Sequence, residues 1–217
     1  MIQNIVTEIE KSRIIAIVRG VSQDKICSLA DALYHGGIRC LEVTFVQQND
    51  STVLNTVNSL RILSENFSDK LIIGAGTVMT TGQVETAKDC GCSFIVSPNT
   101  DEAVIKKTKE LDLVSIPGAA TPTEVANAYA FGGDIIKIFP AGLLGADYIK
   151  ALKGPYSHIP MAAVGNVTLD NMAQLYSAGA CAFGISSSLA PVQLIEDGKF
   201  SEITDIARTY TDFIFSL

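Results

Sequence analysis

The chain has 217 residues, 47% hydrophobic and 18% charged, which is ample material for a core and carries no sign of disorder. Its net charge of −7 offers no basic stripe to displace counterions, which argues against nucleic acid as a partner, although a small anion needs only a local positive site. No apolar run reaches the roughly 18 residues of a membrane span, and Met1–Ile5 lacks the start of a signal peptide, so a soluble, cytoplasmic protein is expected.

The residues before Arg13 are expected to form a capping helix. Eight short, β-branched apolar segments follow: Ile14–Arg19, Cys40–Phe45, Leu71–Gly76, Phe94–Pro98, Leu113–Gly118, Ile135–Ala141, Met161–Asn166 and Cys181–Ser186. Several are apolar on both faces, as parallel strands covered on both sides should be. Their starts lie 19–31 residues apart, the length of one strand–loop–helix–loop unit.

Helix signals fill the gaps. Asp24–Tyr34, Glu124–Tyr129 and Asn171–Tyr176 place apolar residues at helical spacing and end at Gly36-Gly37, Gly132-Gly133 and Gly179. Thr121-Pro122-Thr123-Glu124 combines an N-cap, a first-turn proline and a capping-box glutamate; Thr80-Thr81-Gly82-Gln83 repeats that logic with glutamine. Ile203–Phe215 is the last outer helix. Eight such units without a linker predict one (β/α)8 TIM barrel over residues 1–217, a size that suits a closed barrel better than two domains. An open doubly wound sheet is disfavoured, because Arg19-Gly20-Val21-Ser22 lacks a glycine-rich dinucleotide fingerprint.

Five cysteines (Cys27, Cys40, Cys90, Cys92 and Cys181) are scattered through these elements, and Cys90-Gly91-Cys92 has no second pair at zinc-like spacing. They read as small thiols in a reducing compartment. The two histidines, His35 and His158, fall far from any His/Glu cluster, so no metal site is expected.

Among eleven lysines, Lys137 alone sits inside an apolar run, Ile135-Ile136-Lys137-Ile138-Phe139. A buried ammonium is costly, and burial frees the amine for imine formation with a carbonyl compound. The alternative is a strand-end lysine that reaches solvent or a carboxylate. Glu42, within Leu41-Glu42-Val43, repeats the oddity. It is either a counter-ion to Lys137 or a general acid/base raised by desolvation.

Barrel enzymes place their reacting groups at the C-terminal strand ends. There this chain carries Arg19, Glu42, Gly74-Ala75-Gly76-Thr77, Ser97-Pro98-Asn99, Lys137, Gly165-Asn166 and Ser186-Ser187-Ser188. Gly165, Asn166, Ser186 and Ser187 follow the seventh and eighth strands, where backbone N–H groups commonly hold phosphate.

Taken together, Leu41-Glu42-Val43-Thr44, Gly74-Ala75-Gly76-Thr77, Ser97-Pro98, Pro117-Gly118 and Lys137-Ile138-Phe139-Pro140-Ala141 resemble the signature set of the 2-keto-3-deoxy-6-phosphogluconate aldolases. That family includes 4-hydroxy-2-oxoglutarate aldolase activity and the galactonate-epimer aldolases. The resemblance runs from about Ile14 to Leu189. It implies a homotrimeric, cofactor-free class I aldolase that releases pyruvate and glyceraldehyde 3-phosphate from a phosphorylated 2-keto-3-deoxy sugar acid. On that resemblance Lys137 matches the Schiff-base lysine and Glu42 the proton shuttle. Thr77 matches a holder of the pyruvate carboxylate, and Pro98 and Phe139 match pocket walls.

Two positions depart from the gluconate-type pattern. Val46 stands where many members carry an arginine, and Ala163-Val164-Gly165-Asn166 stands where many read Pro-Thr-Gly-Gly. Val164 and the Ala-Ile-Val-Arg-Gly run ending at Gly20 are closer to galactonate-type members. A phosphate-binding isomerase or decarboxylase is the rival enzyme, but it would need an acidic pair or a further base, and only Glu42 is visible. A silent sugar-acid-binding barrel is disfavoured, because an idle buried Lys and Glu cost stability.

Overall fold

A computed structural model describes residues 2–217. Helix α1 (Ile2–Ser12) precedes β1 (Ile14–Val18), and α2 (Gln23–His35) leads to β2 (Cys40–Thr44). Then come α3 (Asp50–Phe67), β3 (Ile72–Gly76), α4 (Thr81–Asp89), β4 (Phe94–Val96), α5 (Glu102–Glu110) and β5 (Val114–Ile116). The second half runs β6 (Gly118–Ala119), α6 (Pro122–Ala130), β7 (Ile136–Ile138), α7 (Ala141–Leu144), α8 (Ala146–Lys153) and β8 (Met161–Val164). It closes with α9 (Leu169–Ser177), β9 (Ala182–Ile185), α10 (Val192–Glu196) and α11 (Phe200–Phe215).

The strands form one all-parallel sheet in the order β5-β4-β3-β2-β1-β9-β8-β7-β6. The count is nine rather than the expected eight because Pro117 splits the fifth segment. Proline has no N–H to donate, and strands break there. The first half, β5, pairs with β4, and the second half, β6, pairs with β7, so one chain segment joins both edges and closes the (β/α)8 barrel.

Two cores follow from the period-two alternation. Ile14, Ala16, Val43, Ile73, Ile136 and Ile138 point outward and pack under the helices. Ile15, Cys40, Phe94, Val96, Val114, Ile116, Ile135, Ala162 and Ala182 point inward. Val6 and Ile9 of α1 join this inner group, so α1 plugs the N-terminal end of the barrel as expected. Burying each valine, isoleucine or phenylalanine among them is worth about 1.5–3 kcal/mol.

Capping follows the sequence signals. Thr121 accepts from Glu124 N, and the Glu124 carboxylate accepts from Thr121 N at 2.8 Å. Thr80 accepts from Gln83 N, but the Gln83 side chain reaches Met79 N at 2.8 Å instead of its N-cap. Strands end earlier than the apolar runs do. β7 stops at Ile138, with Phe139 N making a last bond to Ala119 O at 3.1 Å before Pro140, which has no N–H to offer.

Candidate active site

Strand β7 carries Lys137 between Ile136 and Ile138, both fully buried on the outer face, so the intervening side chain must point into the barrel. Its backbone is fixed by a bond from Lys137 N to Pro117 O at 2.9 Å and by register with Gly118 and Ala162. Glu42 reaches the same interior from β2, opposite Ile17 on one side and Gly74 on the other. Lys137 is 8% exposed and Glu42 3%.

No ion pair joins the two among the described residues, and both line one cavity of about 530 Å3 at the C-terminal mouth. Burial pushes the Glu42 carboxyl above its ordinary value, against the pull of Lys137 and Arg19. Burial likewise pushes the Lys137 amine below its ordinary value; Glu42 opposes that shift, and Arg19 adds to it. The site therefore disfavours both charges, leaving an amine able to attack and a carboxyl able to give and take a proton. Lys137 Nζ also lies 5.0 Å from the Phe139 ring centroid.

Small residues make the room. A side chain at Gly76 would occupy the place of the Glu42 carboxylate, and one at Gly184 would meet Val164 Cγ2 at 2.9 Å and Ile17 Cδ1 at 3.0 Å. Gly165, at φ 86°, lets the turn after β8 pass the Phe139 ring, which a Cβ would approach to 2.9 Å.

Of the ten expected site residues, Arg19, Glu42, Thr77, Lys137, Phe139, Gly165, Asn166, Ser186 and Ser187 all line this cavity. Pro98 does not. β4 ends at Val96, so the inward alternation lapses before residue 98, and the Pro98 carbonyl lies instead against Gly118. Ile17, Thr44 and Thr168 line the cavity and were not singled out from sequence. Ile17 is in register with Glu42, and Thr44 lies two residues beyond it on the same strand face.

Arg19 Nη2 donates to Thr77 Oγ1 at 3.1 Å. Thr77 and Asn166 adopt left-handed φ values of 55° and 54°, unusual for residues other than glycine. Among the described residues, no protein group accepts from the backbone N–H of Asn166, Ser186 or Ser187. Those donors, with nearby serine hydroxyls, form a patch suited to an anion.

A larger cavity, about 940 Å3, lies outside the barrel wall between α2 and α3. It contains neither Lys137 nor Glu42, and Val46 faces it rather than the catalytic mouth. No group of three or more His, Cys, Asp or Glu side chains is arranged to hold a metal among the described residues.

A parallel barrel holding a shielded amine and carboxylate at its C-terminal mouth is the arrangement that an imine-forming aldolase needs. A sequence model described as KDPG and KHG aldolase matches residues 5–206, and the chain belongs to that family. It is 36% identical over 183 residues to 2-dehydro-3-deoxy-6-phosphogalactonate aldolase of Escherichia coli (strain K12), covering 82% of this chain and 85% of that protein. It is 32% identical over 201 residues to 2-dehydro-3-deoxy-phosphogluconate aldolase of Treponema pallidum (strain Nichols), covering 92% of each. KDPG aldolase from Legionella pneumophila, solved with pyruvate captured at low pH as a covalent carbinolamine intermediate, superposes with a TM-score of 0.84 at 26% identity, covering 94% of this chain and 96% of that one.

Proposed function

We propose that residues 1–217 form one catalytic domain, a class I aldolase that cleaves a phosphorylated 2-keto-3-deoxy sugar acid to pyruvate and glyceraldehyde 3-phosphate. The observation that carries this reading is the shared enclosure of Lys137 and Glu42, each pushed toward its neutral form. The neutral Lys137 amine attacks the C2 carbonyl, and Glu42 moves protons as the carbinolamine loses water. The resulting iminium withdraws the electron pair of the C3–C4 bond while the C4 hydroxyl loses its proton. Protonation of the enamine at C3 and hydrolysis then return pyruvate and the free amine. Lys137 itself is the electron sink, so the reaction calls on no cofactor or metal. 4-Hydroxy-2-oxoglutarate, cleaved to pyruvate and glyoxylate, fits the same steps.

Thr77 and Arg19 are the groups for the carboxylate end, and Phe139 walls the pyruvyl portion. Pro98, away from the cavity wall, is read as support for the neighbouring strand. Gly165, Asn166, Ser186 and Ser187 supply N–H and hydroxyl donors for the phosphate. Leu143 and Leu144 expose an apolar surface on α7, which supports self-association of this chain, as in the homotrimer its resemblance implies. Free cysteines suit a cytoplasmic location, and no helix among the described residues is long and apolar enough to cross a membrane.

Pyruvate with borohydride, followed by peptide mass mapping, tests this directly. One reduced pyruvate should appear on the peptide containing Lys137. Labelling spread across surface lysines, or none, would sink the mechanism, and loss of activity on EDTA treatment would favour a metal-dependent reaction.

A further inference from the structure

Thr77 is the β-branched residue of the mouth held in a left-handed conformation. It follows β3 at φ 55°, a conformation that is costly for a β-branched residue and persists only where its surroundings hold it. The β2–β3 ladder makes its last bond from Phe45 N to Gly76 O at 2.8 Å. Beyond that point Thr77 leaves the strand, so no further rung serves its carbonyl. Gln47, in the loop after β2, takes over: its Nε2 donates to Thr77 O at 3.1 Å. Arg19, from the loop after β1, holds the other end of the same residue by donating to Thr77 Oγ1 at 3.1 Å.

The loop that carries Gln47 is itself fixed. Thr52 Oγ1 donates to Val46 O at 2.8 Å, and Asn49 Oδ1 accepts from Thr52 N at 3.1 Å as the N-cap of α3. Gln47 thus projects from an anchored turn and completes a two-sided clamp on Thr77. It does not line the catalytic cavity, whereas Thr77 does.

We propose that Gln47 is a positioning residue, holding Thr77 in the left-handed conformation that presents its hydroxyl to the carboxylate of the bound 2-oxo acid. The inference rests on the reading of Thr77 as a carboxylate holder. Gln47 then sets affinity for the carboxylate and leaves the imine chemistry at Lys137 alone.

The test is borohydride trapping over a range of pyruvate concentrations, with hydroxyacetone as a ketone that lacks the carboxylate. Gln47→Ala should raise the half-saturating pyruvate concentration about tenfold, the worth of one weakened charge-assisted hydrogen bond, and keep the limiting rate within about twofold. Half-saturation by hydroxyacetone should not move. Gln47→Glu, equal in size but unable to donate when ionised, should fail to restore pyruvate binding. In a Thr77→Ala background, Gln47→Ala should add little, because the group it positions is gone. Unchanged pyruvate saturation, an equal effect on hydroxyacetone, or full additivity with Thr77→Ala would overturn the proposal. If the wild type traps pyruvate at Lys137 and Gln47→Ala matches it, this inference alone fails. If the wild type traps none, the aldolase reading fails with it.

Discussion

The carboxylate of Glu42 lies over Gly76, in the space where any larger residue would begin its side chain. The backbone there cannot easily yield, because Gly76 O accepts from Phe45 N at 2.8 Å and Gly76 is in register with Thr44. Gly76→Ala should therefore displace the Glu42 carboxylate and leave Lys137 in place. Misplacing a catalytic group by an ångström costs about 10²-fold, so turnover should fall by roughly that factor while imine trapping by pyruvate continues. Steady-state cleavage and trapping on the same preparation check this; unaltered turnover would show that the carboxylate position is not critical.

Glu42→Gln keeps the shape of the side chain and removes its titratable proton. Turnover should fall by roughly 10²–10⁴, the usual worth of general acid–base catalysis. Arg19 and Glu42 should also shift the pH dependence of trapping in opposite senses. Arg19 lowers the Lys137 pKa, so Arg19→Met should move the rising limb of trapping to higher pH. Glu42 raises that pKa, so Glu42→Gln should move the limb to lower pH. The measurement is limiting trapping rate against pH at saturating pyruvate. Shifts in the same direction would contradict the electrostatics described for the site.

Lys137 and Glu42 were legible in the sequence because each breaks an apolar alternation, and the alternation decides which way a strand residue points. Thr44 and Ile17 were within reach of the same logic, since both share the inward face with Glu42. Pro98 shows where the logic stops: its strand ends at Val96, and family likeness alone placed it on the wall. The clamp of Gln47 on Thr77 was not legible, because it depends on a positive φ and on two loops meeting in space. Pro117 could have announced the split fifth strand, but only the pairing of its two halves shows that it closes the barrel.

The buried pair should cost stability. Glu42 holds its proton more tightly when folded, so its contribution is present below its unfolded value of 4.5 and is lost as pH rises through the folded pKa. Lys137 holds its proton less tightly when folded, so its penalty stands below the lowered pKa and is relieved as pH rises toward 10.5. Around neutral pH both groups therefore weigh against the fold. The double variant Glu42→Gln/Lys137→Met removes both penalised charges and should be more stable at neutral pH by about 1–4 kcal/mol, the order found when buried charged groups give way to well-packed uncharged side chains of similar volume. That corresponds to a rise in Tm of several degrees for a chain of this size. The advantage should shrink as pH falls toward 4.5, where the penalty from ionised Glu42 disappears. Calorimetry at neutral and acidic pH checks it, and a less stable double variant would mean the pair supports the fold.

Val164 forms part of the wall of the cavity that Lys137 and Glu42 share, and it is 6% exposed. It offers no hydroxyl to the C4 hydroxyl of either sugar-acid epimer. A site that hydrogen-bonds a substrate hydroxyl discriminates strongly, whereas an apolar wall discriminates little. Val46 is turned toward the other cavity, and in the proposed mode the carboxylate end is held by Thr77 and Arg19, which leaves C4 to the rest of the wall. The enzyme should therefore accept both the gluconate and galactonate epimers, with kcat/KM values within roughly tenfold, about 1.4 kcal/mol. Val164→Thr adds a hydroxyl with almost no change in volume and should shift the ratio of kcat/KM toward the gluconate epimer. Parallel assays of the two epimers with wild type and variant decide the matter. A wild-type preference above a thousandfold, or a ratio that the threonine leaves unmoved, would assign the discrimination to some other part of the wall.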